Sequence, residues 1–107
     1  MHATRPVPQE VDCVIVGGGA AGLSAAVNMG RMRRSVLLVD ERDRFIWKHV
    51  AHNYLGFPDG IPAVEIRRLG WRQAAKYGVE LLLGHVATAT RDGELFTCEV
   101  MSFQWAP

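Results

Sequence analysis

The sequence predicts an α/β fold built on a parallel sheet, and three observations carry that expectation. An apolar, β-branched run, Cys13-Val14-Ile15-Val16, leads directly into the glycines Gly17, Gly18 and Gly19. Behind them lies a small-residue stripe, Gly22, Ala26 and Gly30, spaced as one face of a helix. A second apolar run, Ser35 to Val39, then ends on Asp40. Strand, tight turn, helix and strand in this order write a Rossmann-like β-α-β unit. Apolar residues fall on both faces of both strands, as in a parallel sheet covered on each side. The expected architecture is a three-layer parallel sheet, β-α-β then α-β, followed by the start of an antiparallel β-meander.

The elements follow in order. Residues 1–10 carry Arg5, Pro6 and Pro8, lack the apolar core of a signal peptide and are expected to form a mobile tail. The domain is expected over 11–107. Strand one is placed at about Asp12 to Val16, helix one at Ala20 to Met32 and strand two at Ser35 to Val39. From Glu41 to Ile61 the pattern turns irregular, and long irregular loops in compact domains are often functional. Its aromatics and histidines suit a flat ligand. Composition slightly favours the plainer arrangement, with Phe45, Trp47 and Tyr54 covering the core edge and His49 and His52 solvated.

Pro62 suits a first helical position. Ile66, Leu69, Ala74 and Tyr77 mark one face of helix two. Glu65 and Arg68 are spaced to pair. Gly70 within this helix costs up to ~1 kcal/mol relative to alanine, and Gly78 fits the helix stop. Strand three is expected at Val79 to Leu83 and a short strand at Ala87 to Thr90. A hairpin turn at Arg91-Asp92-Gly93-Glu94 and an alternating strand from Leu95 to Val100 follow.

The formal net charge of +1 gives no bulk attraction for nucleic acid. Arg31, Arg33 and Arg34 cluster at the expected end of helix one, where cations suit the helix dipole. No apolar run approaches the length of a membrane span, and a cytoplasmic location is the default expectation. Cys13 and Cys98 are the two cysteines, and neither belongs to a Cys-x-x-Cys pair. Both are expected within strands, Cys13 as a small buried hydrophobe and Cys98 facing a core beside Phe96 and Val100. No metal-ligand cluster is evident.

The chemistry of the glycine turn is specific. Gly17 permits a sharp exit from the strand. Gly19, lacking a Cβ, lets a diphosphate come close to the backbone, and Gly22 lets helix and strand pack tightly. The helix opening near Gly19 offers unpaired N–H groups and a partial positive charge to an anion. A G-x-G-x-x-G alone is a weak signal. Asp40 strengthens it, because a carboxylate about twenty residues on is placed to accept hydrogen bonds from ribose hydroxyls.

The stretch from Asp12 to Ala26 resembles the opening of the FAD domain of thioredoxin-reductase-like flavoproteins. His52-Asn53-Tyr54-Leu55-Gly56-Phe57-Pro58-Asp59-Gly60-Ile61 resembles that family's "ENYPGFPEGI" segment, and it is far more specific than the glycines. Gln73 to Glu80 resembles the family's helix and third strand. The resemblance covers about Val11 to Val100 and implies an incomplete FAD domain. It implies that Gly17, Gly18, Gly19, Ala20, Ala21 and Gly22 hold the FAD pyrophosphate. Asp40, with Glu41, would bind the adenosine ribose, Asn53 would sit near the flavin, and Val86 would contact adenine through its backbone. The chain departs from the family at Ala20, where proline is usual. It departs again at Arg44 to Lys48, which lacks the common Gly-Gly-Gln. The nicotinamide domain with its redox Cys-x-x-Cys, the "ATG" strand and the closing Gly-Asp motif are absent.

Three functions compete: an FAD-binding segment of an NAD(P)H-dependent oxidoreductase, a nicotinamide-binding Rossmann unit, and a remnant that binds no nucleotide. Residues 52–61 favour the first over the second. With one glycine loop and no dithiol, the chain is not expected to complete a catalytic cycle alone. Weak FAD binding, self-association or a partner chain supplying a missing half are the accompanying expectations.

Overall fold

A computed structural model describes residues 9–41 and 48–102 of the 107. The tail up to residue 8, the stretch 42–47 and residues 103–107 lie outside the described residues, and with them Phe45, Trp47 and the Arg44-to-Trp47 departure. The elements are β1 (Cys13–Val16), α1 (Ala20–Arg31), β2 (Val36–Asp40), β3 (Val50–Ala51), β4 (Ile61–Pro62), α2 (Ala63–Lys76), β5 (Glu80–Asp92) and β6 (Leu95–Ser102).

The fold is α/β with a mixed sheet in the order β1-β2-β5-β6. β1 runs parallel to β2, with Val14 beside Leu37, and β2 runs parallel to β5, with Leu38 beside Leu81. β5 then pairs antiparallel with β6. The strand expected at Val79 to Leu83 and the separate one at Ala87 to Thr90 are one continuous strand. Its first residues, Glu80 to Leu83, pair with β2, and Gly84 to Asp92 pair with β6. Gly84 permits the handover, since a Cβ there would lie 2.7 Å from the Met101 carbonyl oxygen.

The alternation of β2 divides the core in two. Val36 and Leu38 join Leu23 and Ala26 of α1, Ala74 of α2 and Val79, with Cys13, Ile15 and Trp71 packed against them. Leu37 and Val39 join Leu82 on the other face, against Val14, Val86 and Val100. Both helices thus pack on one face, and the base of the β5–β6 hairpin covers the other. The run Val36 to Asp40 is buried throughout because both sides of β2 are covered.

Several local expectations are met by named contacts. The small stripe of α1 is pressed home at both ends: a Cβ on Gly22 would lie 1.9 Å from the Gly17 carbonyl oxygen, and one on Gly30 would lie 2.9 Å from Tyr77 Cβ. α2 ends at Gly78, whose φ of +82° closes the helix with bonds from its own N–H to Ala75 and from Val79 N–H to Ala74. α1 ends the same way without glycine. Arg33 takes φ +59°, donating to the Gly30 carbonyl, while Arg34 donates to Met29. Glu65 and Arg68 pair through two guanidinium nitrogens, which holds the Glu65 carboxyl below its usual range. Asp12 and Ser35 clasp the starts of β1 and β2, each backbone N–H donating to the other's side chain at 2.8 Å. The Ser35 amide bond is the main reason the Asp12 carboxyl sits below its ordinary value.

Other expectations are corrected. The irregular stretch contains the short pair β3–β4, with Val50 opposite Pro62. Its strands are two residues long, below what pattern can detect. Pro62 is the N-cap of α2, and Ala63 is the first helical residue. On α2, Ala74 is buried but Leu69 and Tyr77 are exposed; Gly70 faces Leu23 of α1, and Tyr77 meets α1 only through its Cβ at Gly30. Tyr54 is exposed rather than covering the core, while His49 and His52 are solvated as expected. The hairpin turn does fall at Arg91-Asp92-Gly93-Glu94 as expected; its two loop residues are Gly93-Glu94, and only Gly93 has positive φ, which matches type II′. Cys13 is partly buried at the core margin, and Phe96 is exposed, so only the Val100 end of β6 reaches the core. Both cysteines are free thiols. Among the described residues no helix is long and apolar enough to cross a membrane.

Candidate functional site

The parallel strands β1, β2 and β5 end at one edge of the sheet, and the glycine loop crosses it there. Gly17 leaves β1 with φ +103° and donates its N–H to the Val39 carbonyl at 2.8 Å. That bond ties the loop to β2. Gly18 is buried, and its N–H donates to Asp40 Oδ1 at 3.0 Å. Gly19 caps α1 with extended backbone, φ −78° and ψ −172°, and no side chain caps the helix. Ala20 and Ala21 are exposed at the helix start, and the first turn of α1 holds no acidic residue. Its first N–H groups therefore meet no neutralising charge from that turn.

Asp40 is 5% exposed. Its Oδ1 accepts from Gly18, and its Oδ2 faces Arg67 Nε of α2 at 3.7 Å. Both of those facing atoms are buried without a hydrogen-bond partner, as is Trp71 Nε1 one helical turn further on. Glu41 lies at the surface beyond β2, and its carboxylate contacts His85 Nδ1 on β5. Val86, the next residue, is partly buried against Leu37, Val39 and Leu82 and stands opposite Val100. The structure thus brings together Gly18, Asp40 and Arg67, and separately Glu41 with His85 beside Val86. Asn53 joins neither group; it is exposed on the turn between β3 and β4.

Two residues of this edge escape a reading by motif. Arg67 carried a signal, being a cation one turn before Gly70 and two before Ala74 on the inward face of an amphipathic helix. His85 carried none, because its position opposite Glu41 depends on the register of β5 against β2. A groove of about 460 Å³ lies between α1, α2 and the Tyr54-to-Ile61 segment, and it begins at Ala20 on the first turn of α1, with Val27, Leu69, Gln73 and the Tyr54 and Phe57 rings along it. The two rings stand 5.8 Å apart. The groove does not reach Gly17, Gly18, Gly19 or Asp40.

Glycine at 19 is a test of what fits this edge. Of the chain's 11 glycines, Gly19 alone has neither a positive φ nor any atom within 4 Å of where a Cβ would stand. The protein itself does not require glycine there. A group approaching the start of α1 from outside would.

The chain is similar to an oxidoreductase from Agrobacterium tumefaciens, at 35% identity and TM-score 0.75, covering 86% of this chain and 32% of that one. It is similar to the atypical thioredoxin reductase TRi from Desulfovibrio vulgaris Hildenborough, at 29% identity and TM-score 0.73, covering 82% and 30%. A probable thioredoxin reductase from Arthroderma benhamiae is 57% identical over 30 residues, 28% of this chain and 7% of that protein. The chain spans less than a third of the length of these relatives. The family model for pyridine nucleotide-disulphide oxidoreductases matches residues 11–102, and the chain belongs to that family.

Proposed function

We propose that the chain binds FAD as the dinucleotide-binding segment of a thioredoxin-reductase-like flavoprotein oxidoreductase. The observation that carries this is Gly19 at the start of α1, where no side chain caps the helix and a Cβ would meet no protein atom within 4 Å, which leaves the first helical N–H groups open to an anion. An incoming pyrophosphate is such an anion. Gly17, Gly18 and Gly19 shape the loop, Ala20 and Ala21 leave the first helical turn uncrowded, and Gly22 keeps α1 close to β1. The carboxylates leaving β2, Asp40 and Glu41, face the adenosine half. Val86 offers backbone to adenine, and Asn53 lies toward the flavin.

When bound, FAD would supply electron transfer between a nicotinamide and an acceptor. This chain's part is to bind and orient the adenosine and pyrophosphate. β1 ends the sheet on one side among the described residues. Its unpaired backbone edge is a template for a further strand, from another part of a longer chain or from a second copy.

The test is a titration of purified protein. Flavin absorbance that co-purifies, or FAD binding that saturates, supports the proposal. NADH binding without flavin makes the chain a nicotinamide unit, and binding of neither makes it a remnant.

A further inference from the structure

α2 turns two nitrogen donors toward the sheet, and neither has a protein partner. Val36, Leu38 and Asp40 alternate onto one side of β2. The first two belong to the cluster against which Trp71 packs. Arg67 and Trp71 stand four residues apart on α2, on one helical face. Arg67 Nε lies 3.7 Å from Asp40 Oδ2. Arg67 Nε, Trp71 Nε1 and Asp40 Oδ2 are buried and unpartnered, and among the described residues no other side-chain atom shares that condition. Such atoms are rare in folded proteins, so three on neighbouring residues call for a common explanation.

Packing holds the two sides of this gap apart. On the sheet side, Asp40 is wedged under the glycine loop. Its Oδ1 accepts from Gly18 N–H at 3.0 Å, and its Cγ lies 2.7 Å from where a Cβ on Gly18 would stand. On the helix side, α2 is pressed on α1: a Cβ on Gly70 would lie 2.8 Å from Leu23 Cδ1, and Ala74 is fully buried. A separation of 3.7 Å is too long for a hydrogen bond, and a polar contact of that length invites a bridging water. The donor set selects the same bridge. Two N–H groups need an acceptor, and one carboxylate oxygen needs a donor. Beside a cation and a carboxylate together, neither a positive nor a negative ion is favoured. A water accepts two of these bonds and donates the third, and about three is the usual number for a buried water. We infer that Arg67 Nε, Trp71 Nε1 and Asp40 Oδ2 hold one ordered water, and that Arg67 and Trp71 act through it as positioning residues for the carboxylate that sets Gly18 in the glycine loop. α2 thereby shapes the loop without touching whatever binds on the loop's outer side.

The site is tested by NMR on the full, ¹⁵N-labelled chain without ligand. In wild-type protein the Trp71 indole N–H and the Arg67 Nε–H should each show a cross-peak to water, opposite in sign between NOE and ROE spectra. That sign change marks a bound water rather than proton exchange with solvent. Absence of both cross-peaks would overturn the site. The positioning role is read from hydrogen exchange at the Gly18 amide, compared with Leu38, which is fully buried in the middle of β2 and follows global stability. Trp71→Phe removes the indole donor, and Arg67→Lys keeps the charge but removes Nε. Each should speed exchange at Gly18 by about 2- to 10-fold more than at Leu38, the range of one neutral hydrogen bond. Equal acceleration at the two amides would make both residues packing groups only and overturn the role. Either variant alone decides this, and the wild-type cross-peaks decide the site without any variant. Because no ligand is used, a failure to bind FAD would remove the function proposed above and leave this site standing.

Discussion

Replacing Gly19 with serine should move stability and ligand binding in opposite directions. The backbone at Gly19 is extended, and a Cβ there meets no atom within 4 Å, so serine enters without strain. No side chain now caps α1. A serine hydroxyl at the N-cap accepts from the second or third helical N–H and improves on glycine by a few tenths of a kcal/mol. For a domain of this size that raises Tm by about 1–3 °C. The same hydroxyl occupies the space and the N–H groups a pyrophosphate needs. Wild-type protein with FAD at roughly 100-fold above Kd gains about 2.7 kcal/mol, or about 10–20 °C in Tm. Gly19→Ser should show the small gain without ligand and little or no further shift with FAD. Gly22→Ala is the contrasting control. Its Cβ would stand 1.9 Å from the Gly17 carbonyl oxygen, so it should destabilise the ligand-free fold by on the order of 3 kcal/mol. Thermal melts with and without FAD, supported by flavin fluorescence, measure both effects. A Gly19→Ser protein that keeps the full FAD-induced shift would refute the argument that this glycine exists for a ligand.

Other predictions follow from single contacts. Arg67→Ala leaves the buried Asp40 carboxylate without its cation and should cost about 3 kcal/mol in denaturant unfolding, partly recovered by adding Asp40→Asn; a loss under about 1 kcal/mol would show that the pair does not matter. Arg33→Gly should stabilise the chain by about 1 kcal/mol, because Arg33 takes a left-handed conformation that glycine adopts without steric cost; equal or lower stability would argue against strain at that turn. The Asp12 carboxyl sits below the usual aspartate range in the folded chain, chiefly because it accepts from the Ser35 amide, so its contribution is present above the unfolded value and disappears as pH falls through the lower folded one. Asp12→Asn should therefore flatten the acid side of the stability profile below about pH 4, leaving a slope from Glu65, which is lowered by Arg68; an unchanged profile would count against the clasp. Mass spectrometry after mild oxidation should find Cys13 and Cys98 as separate thiols, and an intramolecular disulfide would contradict the strand assignments.

Much of this chain was legible without coordinates, for local reasons. The order of β1, the glycine loop, α1 and β2 follows from contacts within about thirty residues, and each step leaves a periodic or steric mark. Val14-Ile15-Val16 reads as strand, Gly17 as an exit with positive φ, Gly22 to Gly30 as a packed stripe and Gly78 as a stop. The family resemblance rested on residues 52–61 together with that loop, and the family match over 11–102 agrees with it.

What only the tertiary structure decided are relations between distant segments. Ala87 to Thr90 reads as a separate strand because the pairing partner of β5 changes at Gly84, which the sequence of β5 does not record. Leu69 and Tyr77 belong to an apolar periodicity on α2, but Gly70 is the residue that meets Leu23 of α1, and Leu69 and Tyr77 stay partly open to solvent. The unlike surroundings of Asp40 and Glu41 depend on Arg67, 27 residues from Asp40, and on His85, 44 residues from Glu41. Sequence placed two carboxylates at the end of a strand. Which one is buried beneath the loop and which meets solvent is set by the packing of α2 and the register of β5, and neither is a property of residues 40 and 41 themselves.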